Sequence, residues 1–304
     1  MCNEEMKFPA PLNKGDKIAI VSPASHIKPE YVDGAVKVIS QMGYEPVVSE
    51  HCKGEHGSYS GTIEERLGDF MDALHNPDVK AILCSRGGYG VVHLLEYLDA
   101  EDVAANAKWL IGFSDISALH AAMVNAGVVS VHASMAKHLT QFGADNYATR
   151  TLFGILQGEK PIYNVPSHEF NKTGEVEGRL VGGNMAVLCG LLDTEFDLLS
   201  RGDILFIEDI GESIYKIERM LYNLRLSGVL PMLGGLIVGR FTEYQSPDCN
   251  GDTMEQMISR MVEPYDIPVA FDFPVGHVDE NVPMLEGANA RLSVTADGTT
   301  LQYL

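Results

Sequence analysis

Short apolar runs alternate with longer segments of helical periodicity through the first half of the chain. The runs are rich in β-branched residues, which predicts buried strands, and the segments between them repeat their apolar residues every three or four positions, which predicts helices. Predicted strands cover residues 17–22, 45–49, 80–85 and 108–113, and predicted helices cover 29–43, 62–76, a segment ending at 98, and 116–127. This alternation predicts an α/β domain whose parallel sheet is covered by helices on both faces.

The pattern breaks over residues 158–178, where glycines, prolines and polar residues follow one another with little periodicity. We interpret this stretch as a linker between an N-terminal α/β domain, residues 1–157, and a smaller C-terminal α/β domain, residues 179–304. In the C-terminal part, predicted helices cover 181–192, 214–227 and 252–263, and predicted strands cover 203–207, 235–239, 268–272, 290–295 and 300–303.

Ligands of open α/β sheets bind beyond the C-terminal ends of the strands, so the turns that follow predicted strands are the first candidates for chemistry. Ser114 lies between a predicted strand and a helix, where a sharp turn would expose its hydroxyl and aim helical amides at a developing oxyanion. The segment Gly112-Phe-Ser-Asp-Ile116 is a partial nucleophile elbow without its second glycine. From position alone, a helix cap is the simpler interpretation.

A second turn, Arg86-Gly-Gly-Tyr-Gly90, is rich in glycine. Its bare amides could supply an oxyanion donor, or they could cradle a phosphate, although the order of residues matches neither common phosphate-binding motif. A tight turn with glycines at positive φ is an equally open interpretation.

A nucleophilic serine needs a base, and histidine is the usual one near neutral pH. His277 lies in a polar loop beside Gly276 and is the best candidate among ten histidines. Three other histidines near Ser114 in sequence are interpreted as packing or surface residues: His120, His132 and His138. Glu208 and Asp209 follow a predicted strand, where a carboxylate needs a partner if it is buried. A solvated loop or a helix cap also fits these two acids.

Composition narrows the classes of partner. The 42 acidic and 22 basic residues give a net charge of −20, which repels phosphate backbones and anionic lipids, so we expect neither nucleic acid nor a membrane surface as a partner. No secretory signal or membrane span is predicted.

Five scattered cysteines without a CxxC pair fit a reducing cytosol, and we expect no metal or other cofactor. Cys84, an alternative nucleophile, is interpreted as a core residue.

Several stretches, taken together and in order, resemble one family, the LD-carboxypeptidases. They are Lys14-Gly-Asp-Lys-Ile-Ala-Ile-Val-Ser-Pro-Ala24, Ser85-Arg-Gly-Gly-Tyr-Gly90, Gly112-Phe-Ser-Asp-Ile-Ser-Ala-Leu119, Gly182-Gly-Asn184, Leu205-Phe-Ile-Glu-Asp209, Tyr215-Lys-Ile-Glu-Arg-Met-Leu221 and Gly276-His277. Each motif is weak alone, whereas the ordered set is specific and runs from about residue 8 to the C-terminus.

The resemblance implies a serine peptidase whose triad is Ser114 as nucleophile, His277 as base and Glu208 as the residue that orients it. It implies an oxyanion hole of two backbone amides, which we assign to Asp115 and to Gly88. It also implies that the N-terminal domain carries the serine, that the C-terminal domain carries the other two, and that the active site lies in the cleft between them. The family is usually dimeric, so we expect a homodimer.

The family's best-known role is the release of terminal D-alanine from murein tetrapeptides during cell-wall recycling. The resemblance therefore implies a cytoplasmic LD-carboxypeptidase that hydrolyses a bond between an L-centre and a D-residue of a small peptide. Such an enzyme must bind a free carboxylate, which suits the bidentate fork of arginine. Arg86, Arg219 and Arg240 are the candidates, and each could equally be a surface charge or part of a structural ion pair.

Two alternatives stay open at this point. A related branch resembles peptidases that hydrolyse microcin C-like peptide nucleotides, and it is expected to place a tryptophan on the inter-domain loop. Here the single tryptophan, Trp109, lies on a predicted strand, and residues 158–178 offer only Tyr163 and Phe170. The other alternative is a small-ligand-binding protein without catalysis.

Overall fold

The computed structural model describes residues 6–245 and 251–304. The chain divides into two compact units. Unit 1 comprises the chain up to Glu159 together with Asp279–Gly287, and unit 2 comprises Lys160–Val278 and Ala288–Leu304. Within the described ranges, no helix has both the length and the apolar character needed to cross a membrane.

Strands and helices alternate along most of the chain. The strands are β1 (Lys17–Val21), β2 (Glu45–Val48), β3 (Val79–Cys84), β4 (Trp109–Gly112), β5 (Ser130–His132), β6 (Ile162–Pro166), β7 (Gly174–Asn184), β8 (Ile204–Ile210), β9 (Gly235–Thr242), β10 (Val269–Ala270), β11 (Met284–Glu286), β12 (Asn289–Val294) and β13 (Gly298–Tyr303). The helices are α1 (Pro29–Gln41), α2 (Ile63–His75), α3 (Val92–Leu95), α4 (Ala100–Ala105), α5 (Ser117–Asn125), α6 (Ala136–Phe142), α7 (Tyr147–Leu156), α8 (Met185–Leu191), α9 (Ile214–Leu226) and α10 (Met254–Val262).

Unit 1 is built on a six-stranded sheet with the order β11-β5-β4-β3-β1-β2. Neighbouring strands from β5 to β2 run parallel, and β11 pairs antiparallel with β5 at the edge. All four residues of β4 are buried, as are five of the six in β3, as expected for strands covered on both faces. The predicted α/β fold of this part is confirmed, with β5 and β11 as additions too short to give a sequence pattern.

Helix α2 packs against β1 and β3, and helix α5 follows the turn after β4. Helix α2 begins after Thr62 with a reciprocal capping box: the Thr62 hydroxyl accepts from the Glu65 N–H at 3.2 Å, and the Glu65 carboxylate accepts from the Thr62 N–H at 2.8 Å. Helix α5 is buried over residues 117–124. A helix buried on all sides cannot shift without opening the core, so the turn between β4 and α5 is held at both ends.

Unit 2 is built on a seven-stranded mixed sheet with the order β10-β9-β8-β7-β12-β13-β6. Strands β7 to β10 form its parallel half, while β7, β12, β13 and β6 pair antiparallel. The long strand β7 belongs to both halves. Its parallel register with β8 sets Asn184 opposite Glu208.

Two segments of unit 2 have a secondary structure different from the one that the sequence predicts. Strand β6 and the first part of β7 occupy the stretch interpreted as a linker, where they pair with β13 and β12. These strand segments are largely exposed, so they lack the apolar alternation that marks a strand. The helix expected over 181–192 begins only at Met185, because the preceding four residues complete β7 beside β8, and the Asn184 side chain caps α8 by accepting from the Val187 N–H at 3.2 Å.

Candidate active site

Ser114 occupies a strained turn between β4 and α5 in unit 1. Its φ is 67°, in the left-handed region that side-chain-bearing residues rarely adopt, while the preceding Phe113 is extended. Such a conformation costs about 1–3 kcal/mol and persists only where the surroundings enforce it. Neither the short 3-10 turn nor α5 is capped by a side chain. The structure therefore favours a nucleophile elbow over the helix-cap interpretation.

The glycine-rich turn after β3 packs directly against Ser114. A Cβ atom at Gly87 would lie 2.8 Å from the Ser114 Cβ, 3.0 Å from its Oγ and 3.1 Å from the Asp115 nitrogen. Only glycine permits this approach. Across the described parts of the chain, neither the Gly88 N–H nor the Asp115 N–H donates a hydrogen bond to another protein group. Both amides assigned to the oxyanion hole are thus available to a ligand.

Ser25 anchors the middle of this turn. The Ser25 N–H donates to the Gly87 carbonyl oxygen at 3.2 Å, and the Ser25 hydroxyl accepts from the Tyr89 N–H at 3.2 Å. Gly88 lies between these two contacts with a φ of 101°. The two bonds fix the backbone on either side of Gly88 and so orient its amide.

In unit 2, Glu208 and His277 form a buried hydrogen-bonded pair. Glu208 Oε2 lies 2.7 Å from His277 Nδ1, and the side chains are 0% and 15% exposed. An ionised carboxylate only accepts, so Nδ1 carries the proton, and in the neutral imidazole Nε2 is the basic nitrogen. The sequence pattern places Glu208 after a predicted strand that ends at residue 207. In the structure, strand β8 continues to Ile210, so Glu208 lies within the strand.

Backbone irregularities let this pair form. The register between β8 and β9 shifts between Ile207 and Asp209, beside Glu208, and such bulges often re-aim a side chain next to an active site. Gly276 has a φ of 122°, and a Cβ atom there would lie 2.9 Å from the Glu208 Cβ. The Gly276-His277 motif is therefore explained by the close approach of the two segments.

The environment of His277 favours its protonated form. Burial lowers its pKa, but the hydrogen bond and charge of Glu208, with smaller contributions from Asp209 and Glu243, outweigh burial and leave the pKa of His277 above its ordinary value of 6.5. A carboxylate that stabilises the imidazolium is what a serine hydrolase needs when its base takes the nucleophile's proton.

Asp209 supports the pair from the next position of β8. Its carboxylate accepts from the Asn184 side-chain amide at 2.9 Å and from the Ala186 N–H at 2.9 Å. Burial raises the pKa of Asp209 to about 6, and the charge of Glu208 adds to that rise. The Gly182-Gly-Asn184 motif thus joins β7 to β8 next to Glu208, a role that sequence reasoning left unassigned.

The three candidate arginines occupy different settings. In unit 1, Arg86 is exposed, and one of its nitrogens, Nη1, donates to the His26 carbonyl oxygen at 2.6 Å. In unit 2, Arg240 pairs with Asp272 at 2.6 Å, and Arg219 stacks over the Tyr215 ring at 5.4 Å.

Other candidates from the sequence have structural roles. His120 is buried and bonds through Nε2 to the Gly112 carbonyl oxygen at 2.9 Å, and His132 is buried as well. Cys84 is buried, and burial raises the pKa of its thiol, which disfavours a reactive thiolate. Within residues 6–245 and 251–304, no group of three or more metal-ligating side chains is arranged to hold an ion.

Comparison with known proteins defines the class. The chain matches the family models of the LD-carboxypeptidase N-terminal domain over residues 18–133 and the LD-carboxypeptidase C-terminal domain over residues 177–292. It is 32% identical to the Probable murein peptide carboxypeptidase of Bacillus subtilis, covering 96% of this chain and 93% of that protein. It is 30% identical to the Microcin C7 self-immunity protein MccF of Escherichia coli, covering 91% and 89%.

Among solved structures, muramoyltetrapeptide carboxypeptidase from Oxalobacter formigenes aligns with a TM-score of 0.87 and 31% identity, covering 94% of this chain and 98% of that one. These matches identify the protein as a serine-type carboxypeptidase. The chain belongs to the LD-carboxypeptidase family, and the resemblance inferred from its motifs is confirmed.

The pKa of His277 depends on the charge of Glu208, which gives a direct prediction. In Glu208→Gln the amide oxygen can still accept from Nδ1, but the negative charge is lost while burial remains. We therefore expect the pKa of His277, followed by NMR titration, to fall from above 6.5 to below 6.5. Glu218→Gln, which removes a carboxylate of α9, is the matched control. An unchanged pKa in Glu208→Gln would contradict the coupling.

The left-handed conformation of Ser114 predicts an unusual order of stabilities. Ser114→Gly and Ser114→Ala both lose the hydroxyl, but only glycine relieves the backbone strain. We expect the glycine variant to have the larger free energy of unfolding in urea, by about 1 kcal/mol. At Ser259, inside α10, the same two substitutions should show the opposite order, because alanine is the better helix former. A less stable glycine variant at position 114 would show that the turn is unstrained.

Proposed function

We propose that this enzyme hydrolyses the L–D peptide bond of a murein tetrapeptide and releases its terminal D-alanine, with Ser114, Glu208 and His277 as the catalytic triad. The observation that carries the proposal is the strained Ser114 turn with two unpartnered amides beside it. The buried Glu208–His277 pair supplies the base, and relatives named for murein peptides supply the substrate class.

The proposed reaction proceeds through an acyl-enzyme. Ser114 Oγ attacks the carbonyl carbon of the L-centre as His277 Nε2 takes the hydroxyl proton, and the negative oxygen is stabilised by the amides of Asp115 and Gly88. The C–N bond then breaks, and His277 gives its proton to the amine of the leaving D-alanine. A water molecule, deprotonated by His277, then attacks the ester carbonyl carbon. The C–O bond to Ser114 breaks, His277 returns the proton to Ser114 Oγ, and the shortened peptide leaves with a free carboxyl group. Throughout the reaction, the Glu208 carboxylate accepts the hydrogen bond from the Nδ1–H of His277.

Arg86 is our choice for the group that binds the free carboxylate of the substrate. It belongs to the same turn as Gly88, and its exposed guanidinium has donors beyond the one used by His26. Arg240 already faces Asp272, and Arg219 lies exposed on α9 against an aromatic ring.

Side-chain packing weighs against the peptide-nucleotide alternative. Trp109 is 2% exposed, and its indole N–H donates to the Ala10 carbonyl oxygen at 3.0 Å. Tyr163 is buried, and Phe170 packs against His168 and Phe271 with ring centroids 5.6 and 6.0 Å apart. The buried rings of Trp109 and Tyr163 are not available to stack on a nucleobase, which leaves the partly exposed Phe170. Membership of the carboxypeptidase family overturns the non-catalytic alternative.

We propose further that the enzyme works in the cytoplasm as a homodimer, on a small peptide and not on nucleic acid or membrane. Cys52, Cys84 and Cys189 are free thiols, which suits a reducing compartment. The net charge of −20 disfavours polyanionic partners.

The test is hydrolysis of L-Ala-γ-D-Glu-meso-diaminopimelate-D-Ala, followed as D-alanine release by mass spectrometry. Wild type and Ser293→Ala, a serine of β12, should release D-alanine, whereas Ser114→Ala should be slower by at least about 10³-fold, because the nucleophile is absent. Release by Ser114→Ala at the wild-type rate would refute the triad. Failure of every protein would refute the substrate.

The role of Arg86 predicts a loss that depends on the substrate's carboxylate. Arg86→Ala should lower kcat/KM for the tetrapeptide by about 10- to 100-fold, as expected for a charge-assisted hydrogen bond, and should hardly affect the C-terminal amide of the same peptide. Arg219→Ala and Arg240→Ala are the matched comparisons. If one of them shows the selective loss instead, that arginine is the carboxylate ligand.

A further inference from the structure

A buried arginine lies beneath the glycine-rich turn and is not used by the proposed reaction. Arg66 of α2 is 2% exposed. Its donors reach the Pro23 and Gly90 carbonyl oxygens at 2.7 and 2.8 Å, the Gly61 carbonyl oxygen at 3.2 Å and His93 Nδ1 at 3.2 Å, and its guanidinium lies 4.9 Å from the Tyr59 ring centroid. Its hydrogen bonds therefore hold backbone segments together.

The carboxylate of Asp115 approaches the same turn from the nucleophile's side. Asp115 is 6% exposed, and its Oδ2 accepts from the Val91 N–H at 2.9 Å. Burial raises the pKa of Asp115 to about 6, while the bond from Val91 and the charge of Arg66 act in the opposite direction. A buried carboxylate costs free energy unless it is hydrogen-bonded. The bond from the Val91 N–H therefore offsets part of the cost of burying Asp115.

The two side chains hold opposite ends of one peptide group. The Gly90 carbonyl, bound by Arg66, and the Val91 N–H, bound by Asp115, belong to the same Gly90–Val91 peptide unit. Both of its polar atoms are thus engaged by buried charged side chains. This arrangement fixes both the position and the rotation of the peptide plane.

We propose that Arg66 and Asp115 are positioning residues that clamp the Gly90–Val91 peptide and thereby hold the Gly88 amide in place beside Ser114. This role rests on the proposed function, because it presupposes that the Gly88 and Asp115 amides receive the oxyanion. Asp115 then acts twice: its N–H is one donor, and its side chain fixes the turn that carries the other.

The composition of the turn explains why a clamp is needed. Gly88 and Gly90 have φ values of 101° and 122°, so glycine is required there, yet glycine has the most freedom to lose on ordering. The three glycines offer no side chains to pack. Oxyanion donors are effective only when they are in place before the reaction, and here the restraint comes from outside the turn.

The test compares isosteric substitutions at Asp115 by steady-state kinetics on the tetrapeptide. Asp115→Leu cannot accept from the Val91 N–H, whereas Asp115→Asn can. We expect Asp115→Leu to lower kcat by about 10- to 100-fold, approaching the loss of one oxyanion donor, with KM changed by less than about 3-fold, because the donors act on the transition state alone. Asp115→Asn should recover at least about 10-fold of the lost turnover.

A second measurement separates positioning from stability. The affinity for a peptidyl phosphonate that carries the oxyanion should fall in parallel with kcat in Asp115→Leu, while circular dichroism should report a folded protein. If Asp115→Leu does not fold, Arg66→Lys decides the question, because lysine keeps the charge, but its single nitrogen cannot also make the bonds that Nε and Nη2 of Arg66 make to Gly61 and His93. It should lower kcat and phosphonate affinity together.

Several outcomes would overturn the clamp. They are wild-type kcat in folded Asp115→Leu, equal losses in Asp115→Leu and Asp115→Asn, or, where Arg66→Lys decides, wild-type kcat in that variant. Ser114→Ala, measured in the same series, separates this failure from that of the proposed function. An inactive Ser114→Ala beside a fully active Asp115→Leu removes only the clamp, whereas an active Ser114→Ala removes the nucleophile and the clamp together.

Discussion

The left-handed backbone at Ser114 costs free energy, and much of unit 1 is arranged to enforce it. The strand before it is fully buried, and the helix after it is buried over residues 117–124. The Gly112 carbonyl oxygen accepts hydrogen bonds from the Ala133 N–H and from His120 Nε2, both at 2.9 Å, and these bonds fix the end of β4. Gly87 lacks the side chain that would push the turn away. Strain of this kind survives only where packing over-determines the backbone.

A different constraint governs unit 2, where a carboxylate has no exposure to solvent. Glu208 is tolerated at that depth because His277 lies 2.7 Å away, and breaking such a buried pair is costly. The bulge in β9 and the positive φ of Gly276 bring the histidine to it. The same carboxylate that holds the pair together also fixes the tautomer of His277 that its proposed role as a base requires.

Sequence patterns predict the parts of the fold that are regular and buried. Strands β1 to β4 and helices α1, α2, α3 and α5 follow from alternating apolar runs, and the candidates Ser114, Glu208 and His277 follow from motifs that resemble one family. Strands β6 and β11 are not predictable, because the first is an exposed edge with little apolar alternation and the second is three residues long and pairs far along the chain.

The clamp residues escape prediction for another reason. Arg66 falls in an ordinary helical pattern, where a charged residue is expected to face solvent. Only the tertiary structure shows that its donors reach carbonyls of three separate segments. Asp115 is conspicuous in sequence as the neighbour of the nucleophile, but its side-chain partner, Val91, lies 24 residues away. Side-chain to backbone bonds of this range leave no periodic signal.

Ser114 is proposed to be a nucleophile that His277 activates. The most direct measurement treats wild type and His277→Ala with an alkyl fluorophosphonate and locates the adduct by peptide mass spectrometry. We expect the adduct on Ser114 Oγ, formed at least about 100-fold more slowly in His277→Ala, since general-base assistance is worth roughly that much or more. An adduct on another residue, or equal labelling rates in the two proteins, would contradict the claim.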